Sequence, residues 1–208
     1  MQALVMKGDS VKADYRTGQT RCVNDPTGAK TTANSLMDYM NPKATRQFIE
    51  WTHEAYKRVI GKDMGTTVLG FRGDEPDYNH TPYTPGIFDV FREKKGYDPQ
   101  PYLKSLFSDG GSMEQRLFRA DYWDVWSQLF AKNYFHQEAQ WCEGNGMAHV
   151  THLNNDHRME RCVRCSGSLF RCLRNVTIPG VDAIWNQIWP DTINDFPKFA
   201  SSVAHAWG

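Results

Sequence analysis

A short apolar run that ends abruptly in a pair of acids constrains the fold more than any other feature of the chain. The run Thr66–Phe71 is rich in β-branched and aromatic residues and predicts a buried strand. Asp74 and Glu75 follow shortly after it, and Pro76 keeps the backbone from entering a helix at once. In an α/β barrel, functional side chains lie at the carboxyl ends of the strands. The segment therefore predicts a parallel α/β fold with a candidate site at this strand end.

The composition excludes several classes of partner. The 208 residues contain 24 Lys plus Arg and 24 Asp plus Glu, so the chain has no net positive charge that would attract nucleic acid or an anionic membrane. No run reaches the roughly 18 apolar residues of a membrane span, and the first residues lack the pattern of a secretory signal. We therefore expect no nucleic acid and no membrane partner. The compartment stays open, with a periplasmic or extracellular parent chain as one option.

Cysteines and aromatic residues are the other notable components. The five cysteines are an odd number, and the Cys162–Cys165 spacing has no second pair to complete a zinc site. Cys162, Cys165 and Cys172 fall in a predicted helix, which indicates buried thiols. The seven Trp, nine Tyr and eleven Phe suit either a sugar-binding surface or a core built from large rings.

Strand-like and helix-like segments alternate over residues 36–208, whereas residues 1–35 form a weakly patterned segment with early barrel strands near 4–6 and 21–23. Predicted strands cover residues 36–40, 66–71, 147–153 and 179–185, and predicted helices cover 43–60, 85–95, 101–107, 112–142, 158–174 and 196–206. About four to five β/α units result, where a (β/α)₈ TIM barrel has eight. The sequence therefore predicts an incomplete barrel, with the remaining barrel segments in a longer parent chain as its partner.

Polar side chains recur at the ends of the predicted strands. Glu75 is the candidate general acid, because partial desolvation under the long connection that follows would raise its pKa. Adjacent residues of an extended strand point to opposite sides, so we expect one of Asp74 and Glu75 to enter the pocket and the other to support it. The alternative is a turn whose acids cap the next segment. The other strand ends supply a candidate substrate-binding set: Asp38, His152, Asn154, Asp182 and Trp185.

Histidines near the third predicted strand raise the alternative of a metal site. His149 and His152 are three residues apart, which directs them to opposite sides of a strand, and no His-Glu-x-x-His segment is present. We therefore expect no metal ligands. The chain also lacks a phosphate loop, a dinucleotide fingerprint and a Gly-x-Ser-x-Gly elbow, which excludes kinase, dehydrogenase and esterase classes.

The segment Val68–Pro76 resembles the G-F-x-x-D-E-P strand of large bacterial glycoside hydrolases related to the family-106 α-L-rhamnosidases. Similar stretches follow in the same order at residues 38–42, 91–98, 122–123, 141–143, 151–154 and 178–182. The resemblance implies a (β/α)₈ domain that hydrolyses O-glycosidic bonds of an oligosaccharide or glycoside by inversion, with Glu75 as the acid. Calcium is associated with these rhamnosidases, but no ligand set can be matched onto this chain.

The partner of the acid is the open question at this stage. Inversion needs a second carboxyl group roughly 6.5–9.5 Å from the acid. The resemblance implies that it lies on a strand beyond the last helix, and Asp38, Asp156 and Asp182 are the candidates within the chain. Two functions remain: a fragment of a glycosidase catalytic domain, or a non-catalytic carbohydrate-binding remnant. Metal-dependent hydrolysis through the histidines is a third.

Overall fold

The structure is a computed structural model that describes residues 13–14, 19–22, 37–78, 82–184, 191 and 194–207. Two short strands, β1 (Ala13–Asp14) and β2 (Gln19–Cys22), pair antiparallel in a sheet of their own. Strand β2 overlaps the early strand predicted near residues 21–23 but does not join the main sheet. The strand predicted near residues 4–6 lies outside the described residues.

The main sheet contains three parallel strands in the order β3 (Gly70–Gly73), β4 (Ala148–Thr151) and β5 (Ile178–Pro179). Phe71 pairs with His149 in the register of β3 and β4. Helical segments connect each strand to the next. The chain is therefore a mixed α/β structure with a small parallel sheet, as the alternation of segments predicted. The described residues do not form an eight-stranded barrel.

Helices make up most of the described chain. They are α1 (Pro42–Trp51), α2 (His53–Ile60), α3 (Ile87–Lys95), α4 (Met113–Phe130), α5 (His136–Gly144), α6 (Met159–Ser166), α7 (Leu169–Leu173) and α8 (Pro197–Trp207). A 3₁₀ segment covers Gln100–Phe107, and a π-helical turn, Ala131–Phe135, joins α4 to α5. None of the described helices is long and apolar enough to cross a membrane.

The helix predicted over residues 43–60 is two helices divided at Thr52. The Thr52 hydroxyl donates to the carbonyl of Phe48 at 2.7 Å and lies 2.8 Å from Nδ1 of His53. A hydroxyl bonded to the carbonyl four residues back bends a helix, which explains the break. The helix begins at Pro42, one residue before the predicted start, and Asn41 caps it, since Asn41 Oδ1 accepts from the Lys43 amide at 3.0 Å.

Residues 37–40 form a buried turn and not the strand that the sequence predicted. Asp38 Oδ1 accepts from the Met40 amide at 3.2 Å, and the Asp38 carbonyl accepts from the Asn41 amide at 3.0 Å. These local bonds take the place of strand pairing. Asp38 therefore does not lie at a strand end.

Strand β3 begins four residues later than predicted, at Gly70. The Asp63 carbonyl accepts from the amides of Thr67 and Val68 at 3.0 and 2.9 Å, which holds the predicted first residues in a turn. At Gly70 the two strands approach closely, since a Cβ there would lie 2.4 Å from the Ala148 carbonyl oxygen. Only glycine fits at this position of β3.

Gly70→Ala is expected to lower the free energy of unfolding by about 1–3 kcal/mol, because the methyl group would overlap the backbone of β4. Urea denaturation measures the change. Gly144→Ala is the matched control, since no atom lies within 4 Å of the added Cβ there. Equal stability of the two variants would contradict the close approach at Gly70.

The core is a cluster of aromatic rings around α4 and the π-helical turn. Ser112, where the helix was predicted to begin, caps α4 in a capping box with Gln115. The fully buried ring of Phe130 lies with its centroid 4.9–6.0 Å from five other rings: Tyr39, Tyr78, Trp126, Tyr134 and Phe135. The aromatic excess of the sequence therefore builds a core. The three cysteines of α6 and α7 are buried free thiols, as predicted.

Candidate active site

The carboxyl ends of the three parallel strands bring three acidic side chains around one imidazole. Nε2 of His152 lies 3.7 Å from Asp74 Oδ1, 3.8 Å from Glu75 Oε1 and 3.6 Å from Asp182 Oδ2. The His152 side chain is only 3% exposed, and its Nε2 has no hydrogen-bond partner within 3.5 Å. We call these four residues the acid cluster. A buried imidazole thus faces carboxylates that remain open to solvent.

Both acids of the Asp74–Glu75 pair face His152, although strand alternation predicted that only one would. The backbone of Glu75 has φ of 47°, in the left-handed region, so the extended geometry ends at Asp74. This turn brings the Glu75 side chain to the same side as Asp74. A positive φ is costly for a non-glycine residue, above all before a proline such as Pro76. Backbone strain of this kind concentrates at functional sites.

Tyr78 anchors the loop that carries the two acids. Its amide donates to the Cys165 carbonyl on α6 at 2.9 Å. Its hydroxyl donates to Asp38 Oδ1 at 3.2 Å and accepts from the Met40 amide at 2.8 Å. The Tyr78 ring packs edge-on against Phe130 at 5.3 Å between centroids. The aromatic core therefore holds the acid loop in place.

Asp38 does not belong to the acid cluster. Its side chain is fully buried, and Oδ2 accepts from the Thr84 hydroxyl at 2.7 Å while Oδ1 accepts from Tyr78. Burial raises the pKa of Asp38, and these hydrogen bonds oppose that shift. A sugar hydroxyl has no access to this carboxylate. Asp38 is a structural residue here, and its predicted place among the sugar-binding residues is corrected.

Asn154 and Asp156 border the acid cluster. The Asn154 side-chain amide donates to Asp77, which is buried in the acid loop. Asp156 accepts from the backbone amide of Asp182 at 2.8 Å and so fixes the segment after β5. Burial raises the pKa of Asp156, and the Asp182 amide opposes the shift. Trp185, the predicted sugar-stacking residue, lies outside the described residues.

Arg72 is a site residue that the sequence pattern did not single out. Its Nη2 lies 3.4 Å from Nδ1 of His152 and 3.5 Å from Asp74 Oδ1. Residues two apart on a strand share a face, so the spacing of Arg72 and Asp74 carried the signal. The strand-end pattern selected acidic, imidazole and amide side chains, so it did not select Arg72.

The environment of Glu75 raises its pKa above that of an ordinary carboxyl group. Partial burial is the largest cause; Asp74, Asp182 and Asp156 add to the shift, whereas His152 opposes it. A carboxyl group that keeps its proton to higher pH suits a general acid.

Three residues of the acid cluster lie close enough together to hold a metal ion. Single donor atoms of Glu75, His152 and Asp182 lie within 4.8 Å of one another. Calcium takes six to eight oxygen ligands, and here an imidazole nitrogen stands in the centre. A histidine that binds a metal through Nε2 donates its Nδ1 proton to an acceptor, but this Nδ1 faces Arg72, which can only donate. This tautomer of His152 therefore does not suit a metal bound through Nε2, and the imidazole nitrogen is not a ligand of the kind that calcium takes.

His149 faces away from the acid cluster, as its spacing predicted. Its Nε2 lies 3.1 Å from Glu138 Oε2 on α5, although the contact lacks the alignment of a hydrogen bond. Both side chains are buried. The imidazoles of His149 and His152 therefore do not form a joint metal site, which removes the basis for metal-dependent hydrolysis by this pair.

Comparison with known proteins agrees with the resemblance. The sequence pattern of glycoside hydrolase family 106, alpha-L-rhamnosidase, matches residues 15–208. A Formosa agariphila protein provisionally named a beta-glucuronidase is 26% identical over 175 residues, 83% of this chain and 14% of that protein. A rhamnosidase structure from Novosphingobium sp. PP1Y shares the fold at TM-score 0.64 and 22% identity, covering 88% of this chain and 17% of that one. The chain spans less than a fifth of either protein. It belongs to the alpha-L-rhamnosidase family of glycoside hydrolases, family 106.

Proposed function

We propose that this chain carries the general-acid half of an α-L-rhamnosidase-like catalytic domain, with Glu75 as the acid. The observation that supports the proposal best is the placement of Glu75: a carboxyl group of raised pKa at the end of β3, facing a buried imidazole. Membership in the family indicates hydrolysis of glycosidic bonds. We further propose that β3, β4 and β5 belong to a (β/α)₈ barrel whose other strands lie outside the described residues.

In the proposed reaction, Glu75 gives its proton to the glycosidic oxygen as the bond from that oxygen to the anomeric carbon breaks. Positive charge develops on the sugar ring, and the leaving group departs as a neutral alcohol. A water molecule adds to the anomeric carbon and loses a proton to a second carboxylate. Asp74 and Asp182 lie on the open side of His152, where they would accept hydrogen bonds from sugar hydroxyl groups.

The described candidates do not suit the role of second carboxylate in an inverting reaction. The Asp182 oxygen lies within 4.8 Å of the Glu75 oxygen, which is below the roughly 6.5–9.5 Å that leaves room for water. Asp38 is fully buried, and Asp156 is 2% exposed and engaged by the Asp182 amide. We propose that the base comes from residues outside the described ones. Product analysis by NMR tests this: an inverted anomer supports it, and a retained anomer would contradict it.

The charge of the acid cluster favours an uncharged sugar. Asp74, Glu75 and Asp182 surround His152, and the described cation beside them, Arg72, is already paired with Asp74 at 3.5 Å. A uronic acid would bring another carboxylate next to the carboxyl groups of the acid cluster, and carboxylates in close contact repel one another. We therefore propose a neutral deoxysugar glycoside as the substrate, in preference to a glucuronide.

A panel of aryl glycosides tests the substrate and the acid together, with the full-length protein. We expect kcat/KM for an aryl α-L-rhamnoside to exceed that for an aryl β-D-glucuronide by about tenfold or more, which is the equivalent of one repulsive contact of about 1.4 kcal/mol.

The alkaline limb of the pH profile should lie above the ordinary carboxyl pKa of about 4.3, because Glu75 must stay protonated. Preference for the glucuronide, or a limb at the ordinary value, would contradict the proposal.

The alternative function is a carbohydrate-binding remnant without catalysis. The observation in its favour is that none of the three candidates, Asp38, Asp156 and Asp182, suits the role of the second carboxylate. Titration calorimetry of this chain with rhamnose, beside an activity assay, separates the two functions. Binding without turnover in the full-length protein would establish the remnant, and turnover would exclude it.

A further inference from the structure

His152 lies between one cation and three carboxylates. On one side of the ring, Arg72 Nη2 is 3.4 Å from Nδ1. On the other side, the carboxylates of the acid cluster lie 3.6–3.8 Å from Nε2. A guanidinium group has donors and no acceptor, so Nδ1 must be the accepting nitrogen of the ring. The ring proton is then on Nε2, the nitrogen that lies 3.6–3.8 Å from the three carboxylates.

We infer that Arg72 is a positioning residue for the general acid and that it acts by fixing the tautomer of His152. The inference rests on the proposed role of Glu75. Arg72 lies on the same face of β3 as Asp74, and its guanidinium reaches both Asp74 and, across the strand pair, His152. It does not touch the glycosidic bond. Its effect on the reaction passes through the imidazole.

The position of the ring proton matters when Glu75 gives up its own proton. Before transfer, Glu75 is neutral, and Nε2 lies 3.7 Å from the Asp74 carboxyl group and 3.6 Å from that of Asp182. After transfer, Glu75 is a carboxylate 3.8 Å from the same N–H. A donor beside the charge that develops on Glu75 lowers the barrier to proton transfer once it closes to hydrogen-bond distance. A ring with its proton on Nδ1 would instead present a lone pair to three carboxylates.

The charged and titratable groups that face Glu75 come from four parts of the fold. They are Asp74 from the end of β3, His152 and Asp156 from the segment after β4, Asp182 from the segment after β5, and Cys165 from α6; Arg72 contacts two of them, Asp74 and His152. Of all these residues, only Arg72 and His152 can carry positive charge. Loss of Arg72 removes the donor at Nδ1, so Nδ1 becomes free to take a proton.

Nitrogen-15 NMR of the histidine rings tests the tautomer without any need for activity. In the wild-type chain at neutral pH, we expect His152 to carry a proton on Nε2 and none on Nδ1, with His152→Gln identifying the signal by its loss. In Arg72→Met, Nδ1 should be protonated in most molecules. The matched control is Arg164→Met, which removes an exposed arginine that lies 3.6 Å from Asp109. A protonated Nδ1 in the wild type, or an unchanged pattern in Arg72→Met, would overturn the inference.

Leaving-group dependence connects the tautomer to catalysis in the full-length protein. Arg72→Met should lower kcat about tenfold for an alkyl glycoside, since a misplaced acid group loses part of its contribution. A dinitrophenyl glycoside, whose leaving group needs no proton, should react nearly as in the wild type. Arg72→Lys, which keeps a charged donor, should give an intermediate rate, and Arg164→Met should be unchanged.

If Arg72→Met lowers kcat equally for the alkyl and the dinitrophenyl glycoside, the defect is general and the positioning role is overturned. Failure of the underlying proposal looks different. A fully active Glu75→Gln variant would remove the general acid, while the NMR result for His152 would still decide whether Arg72 sets the tautomer.

Discussion

Glu75→Gln is expected to lower kcat by about 10²–10⁴-fold for an alkyl rhamnoside, the usual contribution of general acid catalysis. Glutamine has nearly the same shape as glutamic acid and can remain beside His152, but it cannot deliver a proton. For a dinitrophenyl rhamnoside the loss should be much smaller, because that leaving group departs without protonation. Steady-state kinetics of the full-length protein on both substrates gives the ratio that identifies the acid.

Glu50→Gln is the matched control for this experiment. Glu50 is an exposed residue of α1, so the same chemical change there should leave both rates unaltered. The pH profile provides a second check, since removal of Glu75 should abolish the alkaline limb for the alkyl substrate. A Glu75→Gln enzyme with an unchanged alkyl-to-dinitrophenyl ratio would assign the proton to another residue.

Phe130→Ala is expected to lower the free energy of unfolding by about 3–5 kcal/mol. The ring is fully buried and contacts five other aromatic rings, so its removal leaves a cavity that rigid neighbours fill poorly. Chemical denaturation followed by tryptophan fluorescence measures the change. Phe107→Ala, at a side chain that is 55% exposed, serves as the control and should change stability by less than about 0.5 kcal/mol.

Phe130 also offers a test of how the core supports the site. Its ring packs against Tyr78, and Tyr78 holds the loop of Asp74 and Glu75. Phe130→Ala should therefore reduce kcat even at temperatures where the variant stays folded. A variant that loses stability but keeps full activity would show that the acid loop does not depend on this packing.

Much of the acid cluster was predictable from the sequence because parallel strands align their carboxyl ends. Glu75, His152 and Asp182 each follow an apolar run or a turn signal, and the structure brings their donor atoms within 4.8 Å. Asp38 shows the limit of this logic. It also sits in an apolar stretch, but its partners Tyr78 and Thr84 lie 40 and 46 residues away in sequence. A local pattern cannot tell a buried, satisfied acid from one at an open strand end.

Element boundaries depended on hydrogen bonds that residue type alone does not reveal. Helical periodicity runs through Thr52, yet its hydroxyl bonds to the Phe48 carbonyl and divides the helix. The orientation of Glu75 was missed for a related reason. Strand alternation assumes an extended backbone, and the positive φ of Glu75 departs from it. The eight-stranded barrel stays a proposal, because the main sheet of the described residues has three parallel strands.

The π-helical turn at Ala131–Phe135 has a consequence for how relatives should be aligned. A π turn holds one residue more than an α turn. The extra residue rotates α5 relative to α4 about the helix axis, so α4 packs on the aromatic core with one face and α5 packs on β4 with another. Each helical residue advances by about 100°, and a family member without the extra residue can preserve both faces only if the deletion falls inside this turn. A gap between homologous sequences therefore belongs within Ala131–Phe135, and an alignment that moves it to either end of the helix would compare residues that point in different directions.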